Sequence, residues 1–448
     1  MNANEILDFL YDTNWGDLPP NVQRMSEKCV FDLLGVAAGA LATDATKIIS
    51  NHAVQHFGAG SAGHAARLLF DGRTASPVGA ALSGAMSIDS LDAHDGYPPA
   101  KGHMGVAILP AMLAVADTMP SKFDGQQFLT LVALGYELGS RMAAAQHGTT
   151  TDYHASGSWN GVATAAVLAR MLELTQDQAR EAMGIAEYHG PRSQMMRCIE
   201  HPTMVKDSSG WGAMTGVSSA YLAQSGFTGA PAIIVDHVDA EPFWEDLGSR
   251  WRVTEQYFKP YPICRWAHGQ IAAVQFLQQT HDIKFEDIAQ IAILTFYEAC
   301  CLDHPNPSNT EEAQYSLPFP IAAMLVRGKV GAEEVTTGLN DPDILALARK
   351  VTMTEVVIQD DRFTGQRISK AIITMADGAR YESDNTPPYG SPEFPLTDQE
   401  LDTKYHDLAD PFLGFETANA VKQEVRSLAG GGSIQTFLNT VLDAPGHD

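Results

Sequence analysis

Apolar residues return every three or four positions through roughly the first 280 residues, the period of helices with one buried face. Val22, Met25, Cys29, Leu33, Val36 and Ala40 trace one such face, with Pro19 and Pro20 just ahead of it, where proline is tolerated. Ser76-Pro77 opens a run of small residues over 78–86 that suits close helix–helix contact. The helical pattern repeats over 128–145, with Glu137 and Arg141 spaced to pair on one face. Thr175 and Gln178 form a capping box for a helix running toward Ala186. Alanine-rich stretches over 161–172 and 212–224 predict two more helices.

The period changes after Phe285. Residues 288–297, 351–358 and 368–375 are rich in strand formers, and Asp377-Gly378 predicts a hairpin turn into 379–382. Residues 320–327 and 341–350 read as helices between these strands. A proline- and glycine-rich linker over 384–395 precedes a return to helical pattern from Asp398 onward. The fold expected is mainly α with a smaller α+β domain. An all-helical domain would be built from both chain ends, 1–268 plus 397–448, with the α+β domain at 269–396.

Length agrees, since 448 residues exceed what one simple core organises. No apolar run reaches the roughly 18 residues needed to span a bilayer. The first residues lack a basic segment followed by an apolar one, so the sequence reads as a soluble cytoplasmic protein. With 54 Asp and Glu against 29 Lys and Arg, the balance argues against nucleic acid or an anionic membrane as partner. It leaves room for a small anion in a locally basic pocket. Cys29, Cys198, Cys264, Cys300 and Cys301 have no spacing suited to zinc or an iron–sulfur cluster and read as free thiols, so no metal is expected.

Four stretches concentrate polar residues beyond the needs of loops. Residues 89–105 hold Asp89, Asp92, His94, Asp95, Lys101 and His103 between two strongly apolar segments. Any one of these alone is more often a solvated loop residue, but imidazole, carboxylate and ammonium together are what proton transfer requires. Tyr153-His154 precedes an alanine-rich helix whose N-terminus is a potential anion site. Lys206 precedes the glycine-rich entry to another helix, downstream of Arg192 and Arg197. Lys259 and Arg265 flank Pro260 and Pro262 on a stiffened segment that also carries His268. Phosphate-loop, dinucleotide, nucleophile-elbow and HExxH templates are absent, which leaves cofactor-free acid–base chemistry as the expectation.

Taken in order, these stretches resemble the MmgE/PrpD family over nearly the whole chain. The resemblance rests on Leu33-Leu34-Gly35, the acidic loop ending in His103 before Leu109-Pro110-Ala111, and Gly135-Tyr136-Glu137 with Arg141. It continues through Tyr153-His154, Val205-Lys206 with Gly210-Trp211, Gly226-Phe227-Thr228-Gly229, Lys259-Pro260-Tyr261-Pro262 and Ser316-Leu317-Pro318-Phe319. It implies a homodimer, no metal or organic cofactor, and a site between the helical and α+β domains. His103 and His154 match site histidines, Lys206 and Lys259 match site lysines, and Asp92 and Asp95 fall in the family's acidic loop. Departures are Met104 for the usual proline, a longer run over 192–197, and Phe319 where decarboxylase-like members carry a tyrosine. That last change implies one hydroxyl donor fewer.

The activity implied is a dehydratase-type lyase that abstracts a proton alpha to a carboxylate on a small di- or tricarboxylic acid. His103, His154, Lys206 and Asp92 would be catalytic. His94, Asp95, Lys101, Lys259 and Arg265 would bind substrate. An epimerase or isomerase using the same proton abstraction is the alternative, and a non-catalytic family member the third.

Overall fold

A computed structural model describes residues 3–61, 63–356 and 367–445. Most predicted helices are present with shifted ends. The first long one spans Pro20–Gly39 and buries Val22, Cys29, Leu33 and Val36, as the periodicity requires. The capping box of Thr175 and Gln178 opens Gln176–His189, with Gln178 N–H donating to Thr175 Oγ1 at 3.2 Å. The helix expected to begin at Gly161 begins four residues earlier, as Gly157–Met171. A two-residue antiparallel pair, Ala66–Arg67 with Thr74–Ala75, is too short to leave a period in the sequence.

Three nearly all-buried helices form the centre of the helical body: Pro77–Leu91, Gly105–Thr118 and Gly157–Met171. Ser209–Gln224 packs against the first and third. Its approach to Gly157–Met171 depends on glycine. A Cβ on Gly161 would lie 2.8 Å from the Gly212 carbonyl oxygen, and one on Gly216 would lie 2.6 Å from Thr164. Backbone-to-backbone packing sets the starts of these two helices side by side, and those starts carry Ser156 and Asp207.

The chain returns at its end to the first helix. Asp398–Leu413 packs on Pro20–Gly39, with Tyr405 stacked on Phe31 at 4.2 Å and Lys404 Nζ 2.5 Å from Asp32 Oδ1. The second unit is a four-stranded mixed sheet in the order Val351–Glu355, Ile288–Thr295, Lys370–Met375, Arg380–Glu382. Ile288–Thr295 is parallel to Val351–Glu355 and antiparallel to Lys370–Met375. The predicted hairpin is present, with Gly378 at φ 91° closing the turn. The first strand stops at Thr295, because Tyr297–Cys300 is a helical turn. Positions 357 and 358 of the predicted second strand lie outside the described residues. Ile291, Ile293, Ala371 and Ile373 face a core shared with His268–His281 and Pro318–Arg327. Among the described residues no single helix is long and apolar enough to cross a membrane.

Candidate active site

Pro77–Leu91 ends at Asp92, a left-handed residue at φ 52°. Non-glycine residues of this kind cost of order 1–3 kcal/mol and gather where function demands them. Here Asp92, Lys101, Lys206, Ser208 and Arg367 all adopt positive φ. Asp92, Lys101 and Arg367 line one cleft, and Lys206 and Ser208 flank Asp207, which lines it too. The cleft opens to solvent, and the space within and at its mouth, open solvent included, is about 350 Å³. Its walls come from both units: Asp92, His103 and Asp207 from the helical body, Tyr315 and Arg367 from the α+β unit, and Lys259 and Arg265 from the segment joining them.

His103 is held by two contacts. Its ring Nδ1 lies 2.5 Å from the Asp95 carbonyl oxygen, and its backbone N–H donates to Ser156 Oγ at 3.1 Å. A carbonyl can only accept, so Nδ1 carries the hydrogen and Nε2 keeps its lone pair. Burial, then the neighbouring His94 and Lys259, hold the imidazole well below the usual histidine range. His103 is therefore a neutral ring with a free basic nitrogen. Nε2 lies 3.8 Å from Asp207 Oδ2, and that oxygen accepts the Ser156 hydroxyl hydrogen at 2.7 Å.

Lys259 Nζ lies 2.5 Å from Asp92 Oδ1 and donates to the Asp92 carbonyl at 3.0 Å, with both side chains buried. Burial pushes Asp92 up, yet Lys259 and Lys206 more than reverse this and keep it ionised. Asp89 and Asp207 go the other way. Burial raises both above the ordinary carboxylate range, with Asp92 repelling Asp89, and Asp89 and Asp92 repelling Asp207. Lys206 is buried, donates to Gln314 Oε1, and holds its ammonium 4.6 Å from the centre of the Tyr315 ring. Arg265 lies 3.8 Å over the Tyr257 ring and donates to Ser391 Oγ at 2.5 Å. Lys101 stands 5.5 Å over Tyr153, and Arg367 5.7 Å over Trp266. An acidic chain thus carries a cationic cleft.

The structure brings Asp92, Lys101, His103, Lys259 and Arg265 together as cleft walls, with Lys206 against Tyr315, another wall residue. It does not bring His154 there. That ring is buried with Nδ1 2.9 Å from the Asp152 carbonyl and is outside the lining. The helix start beside it is closed too, since the Gly157 amide donates to the Asp207 carbonyl at 3.0 Å. His94 and Asp95 form a layer behind His103. His94 lies against His103 with ring centres 4.2 Å apart and planes tilted by 36°, and holds Asp89 at 3.2 Å through Nε2, and burial drives it down to about 3. Asp95 accepts from the Tyr136 hydroxyl, and burial next to Asp32 pushes it up to about 8. Phe319 is fully buried and does not face the cleft, while Tyr153, Tyr257 and Tyr315 do. Of these, Tyr153 donates its hydroxyl hydrogen to the Lys101 carbonyl.

Sequence reasoning missed Asp207, Tyr257, Tyr315 and Arg367. Only Asp207 carried a signal, because it adjoins Lys206. The left-handed residues on either side of it, Lys206 at φ 47° and Ser208 at φ 59°, bend the chain so that both Lys206 and Asp207 are buried. Among the described residues, Asp92, His94 and His103 bring potential metal-ligand atoms within 4.8 Å of one another. The Lys259 ammonium already pairs with that carboxylate, and Lys206 acts on it as well, so the surroundings repel a divalent cation.

The fold and site define a two-unit, mainly helical protein whose units enclose a cationic cleft around a neutral histidine. Residues 4–239 match the MmgE/PrpD N-terminal domain and residues 261–429 the MmgE/PrpD C-terminal domain, and the chain belongs to the MmgE/PrpD family. A cis-aconitate decarboxylase-like protein of Aspergillus oryzae is 22% identical, over 97% of this chain and 96% of that one. Human cis-aconitate decarboxylase is 23% identical, over 82% of this chain and 80% of its own length. The 2-methylcitrate dehydratase of Cupriavidus necator is 27% identical over 48% of this chain and 49% of its own. These relatives are named enzymes of the lyase class, in keeping with a lyase here.

Proposed function

We propose that the cleft binds a small di- or tricarboxylate and that His103 moves a proton at the carbon next to one of its carboxylates, with no bound cofactor. The observation that carries this is the His103 geometry: Nδ1–H tied to the Asp95 carbonyl, and Nε2 left free beside Asp207 in a cleft edged by Lys101, Lys259, Arg265 and Arg367. Proton loss beside a carboxylate moves negative charge onto its oxygens. Cations fixed in advance stabilise that transition state more than the ground state. Dehydration of a hydroxylated acid is the leading reaction. Decarboxylation is the second, favoured by decarboxylase-named relatives that match most of the chain.

Incubation with hydroxylated and unsaturated di- and tricarboxylates in deuterated water tests the reading. Deuterium is expected at the carbon beside a carboxylate, with ultraviolet absorbance for dehydration or released CO2 for decarboxylation. Recovered substrate of inverted configuration would instead mark an epimerase. No exchange and no conversion across the panel would sink the reading.

We also infer a homodimer. Trp211 and Leu222 are exposed and Met214 is half-buried along one face of Ser209–Gln224, with Thr215 and Ser218 between them, a face suited to a second copy. Light scattering should give twice the 48.3 kDa chain mass, and Trp211→Glu should halve it. A wild-type mass of one chain would rule this out.

A further inference from the structure

The cleft needs a proton donor as well as a base, and the sequence motifs leave Asp207 without a role. Asp207 is 3% exposed and lines the cleft, and its carboxyl is fixed by the Ser156 hydroxyl. The same Ser156 oxygen receives the His103 backbone N–H. One serine therefore sets the spacing of the two groups, and their 3.8 Å separation lets a substrate atom sit about 3 Å from each.

We propose that Asp207 is a catalytic residue of this cleft, the proton-carrying partner of His103. The inference rests on the proposed reaction beside a carboxylate. Asp207 faces two other carboxylates, Asp89 and Asp92, which disfavour its ionised form, and Lys259, which favours it. The thiol of Cys198 and the phenols of Tyr153 and Tyr315 also face it. Buried beside Asp89, the carboxyl retains a proton at higher pH than a free one. His103, buried beside Lys259 and another histidine, sheds its proton at lower pH than a free one. Environments that push two groups apart in this way assign the acid and the base. His154, the other histidine expected to serve, lies outside the cleft lining.

In the dehydration, His103 Nε2 takes the proton from the carbon beside the carboxylate, and the C–H electron pair becomes the second bond of the new alkene. The C–O bond to the hydroxyl breaks with its pair left on oxygen. That oxygen takes the Asp207 proton and leaves as water. Imidazolium and carboxylate remain, and transfer of the proton from His103 to Asp207 restores the starting state.

Asp207→Asn keeps an oxygen that can accept from Ser156 but has no acidic proton. Dehydration should fall by roughly 10²–10⁴-fold, while deuterium exchange beside the carboxylate continues, because His103 is intact. Dehydration near the wild-type rate would overturn the proposal. So would loss of exchange and dehydration together at an unchanged melting temperature, which would make Asp207 a positioning residue. Should the variant not fold, the wild-type pH profile decides. Dehydration should drop tenfold per pH unit on the alkaline side, past the raised pKa of Asp207, with exchange unaffected, and a flat alkaline profile overturns the proposal. A wild type that neither exchanges nor dehydrates any acid overturns the underlying reading and this assignment together. An active wild type with an equally active Asp207→Asn overturns this assignment alone.

Discussion

His103→Ala is expected to slow turnover by roughly 10²–10⁴-fold, the usual contribution of a positioned acid–base group. The proposed reaction uses the Nε2 lone pair, and alanine removes it. His103→Gln is the sharper comparison. A glutamine amide can still donate to the Asp95 carbonyl, which now accepts the ring Nδ1–H, yet it cannot take a proton. Both variants should be slow, and free imidazole should partly restore the alanine variant through the space the ring vacates. The wild-type rate should fall with acid only well below the ordinary histidine range. The base works when unprotonated, and its surroundings hold that form to lower pH. Steady-state rates near wild type in both variants would remove His103 from the chemistry.

Lys259→Met carries the largest expected loss of stability. Asp92 and Lys259 are both buried, 2.5 Å apart, and removing one partner strands the other as an uncompensated charge. Such losses run to about 3–5 kcal/mol. The pH dependence has a definite sign. In the wild type Asp92 is held below its unfolded value, so its contribution is present above that value and is lost as the pH falls through the folded one. Lys259 is raised despite its burial because Asp92 outweighs the desolvation, so its contribution is complete below the unfolded lysine value and is lost only as the pH rises through the folded one. Without Lys259 the buried Asp92 should favour its protonated form. The stability gap between variant and wild type should then widen from about pH 4, near the ordinary carboxylate value, toward neutrality. Denaturant unfolding at both pH values measures this. Adding Asp92→Asn should recover much of the stability and none of the activity. An equal gap at the two pH values would count against the charge-pair account.

Most of the helical architecture was legible because period and capping act locally. The spacing from Val22 to Ala40 buries the same side of Pro20–Gly39 in the structure, and Thr175 with Gln178 starts a helix where the capping box places it. Asp377-Gly378 gives its hairpin for the same reason. The polar loop over 89–105 was legible as a candidate site because carboxylates, histidines and a lysine crowd between two apolar helices.

Position within the site was not legible in this way. Asp92 and Asp95 are three residues apart in one loop, yet Asp92 pairs with a lysine in the cleft wall and Asp95 is sealed behind His103 with Tyr136. His103 and His154 look equally eligible in sequence, and only His103 reaches the cleft. Asp207 meets Ser156 because glycines let two helices cross at backbone distance, a contact between residues 51 positions apart.

The sequence by itself determined the helical body, the small α+β unit, the acidic balance and the residue types able to move a proton. These depend on near neighbours and on composition. Tertiary structure decided which imidazole is neutral and facing the cleft, which carboxylates are ionised, and which cations surround the space for an anion. Those properties come from burial and from charges brought together by distant segments, and no local pattern records them.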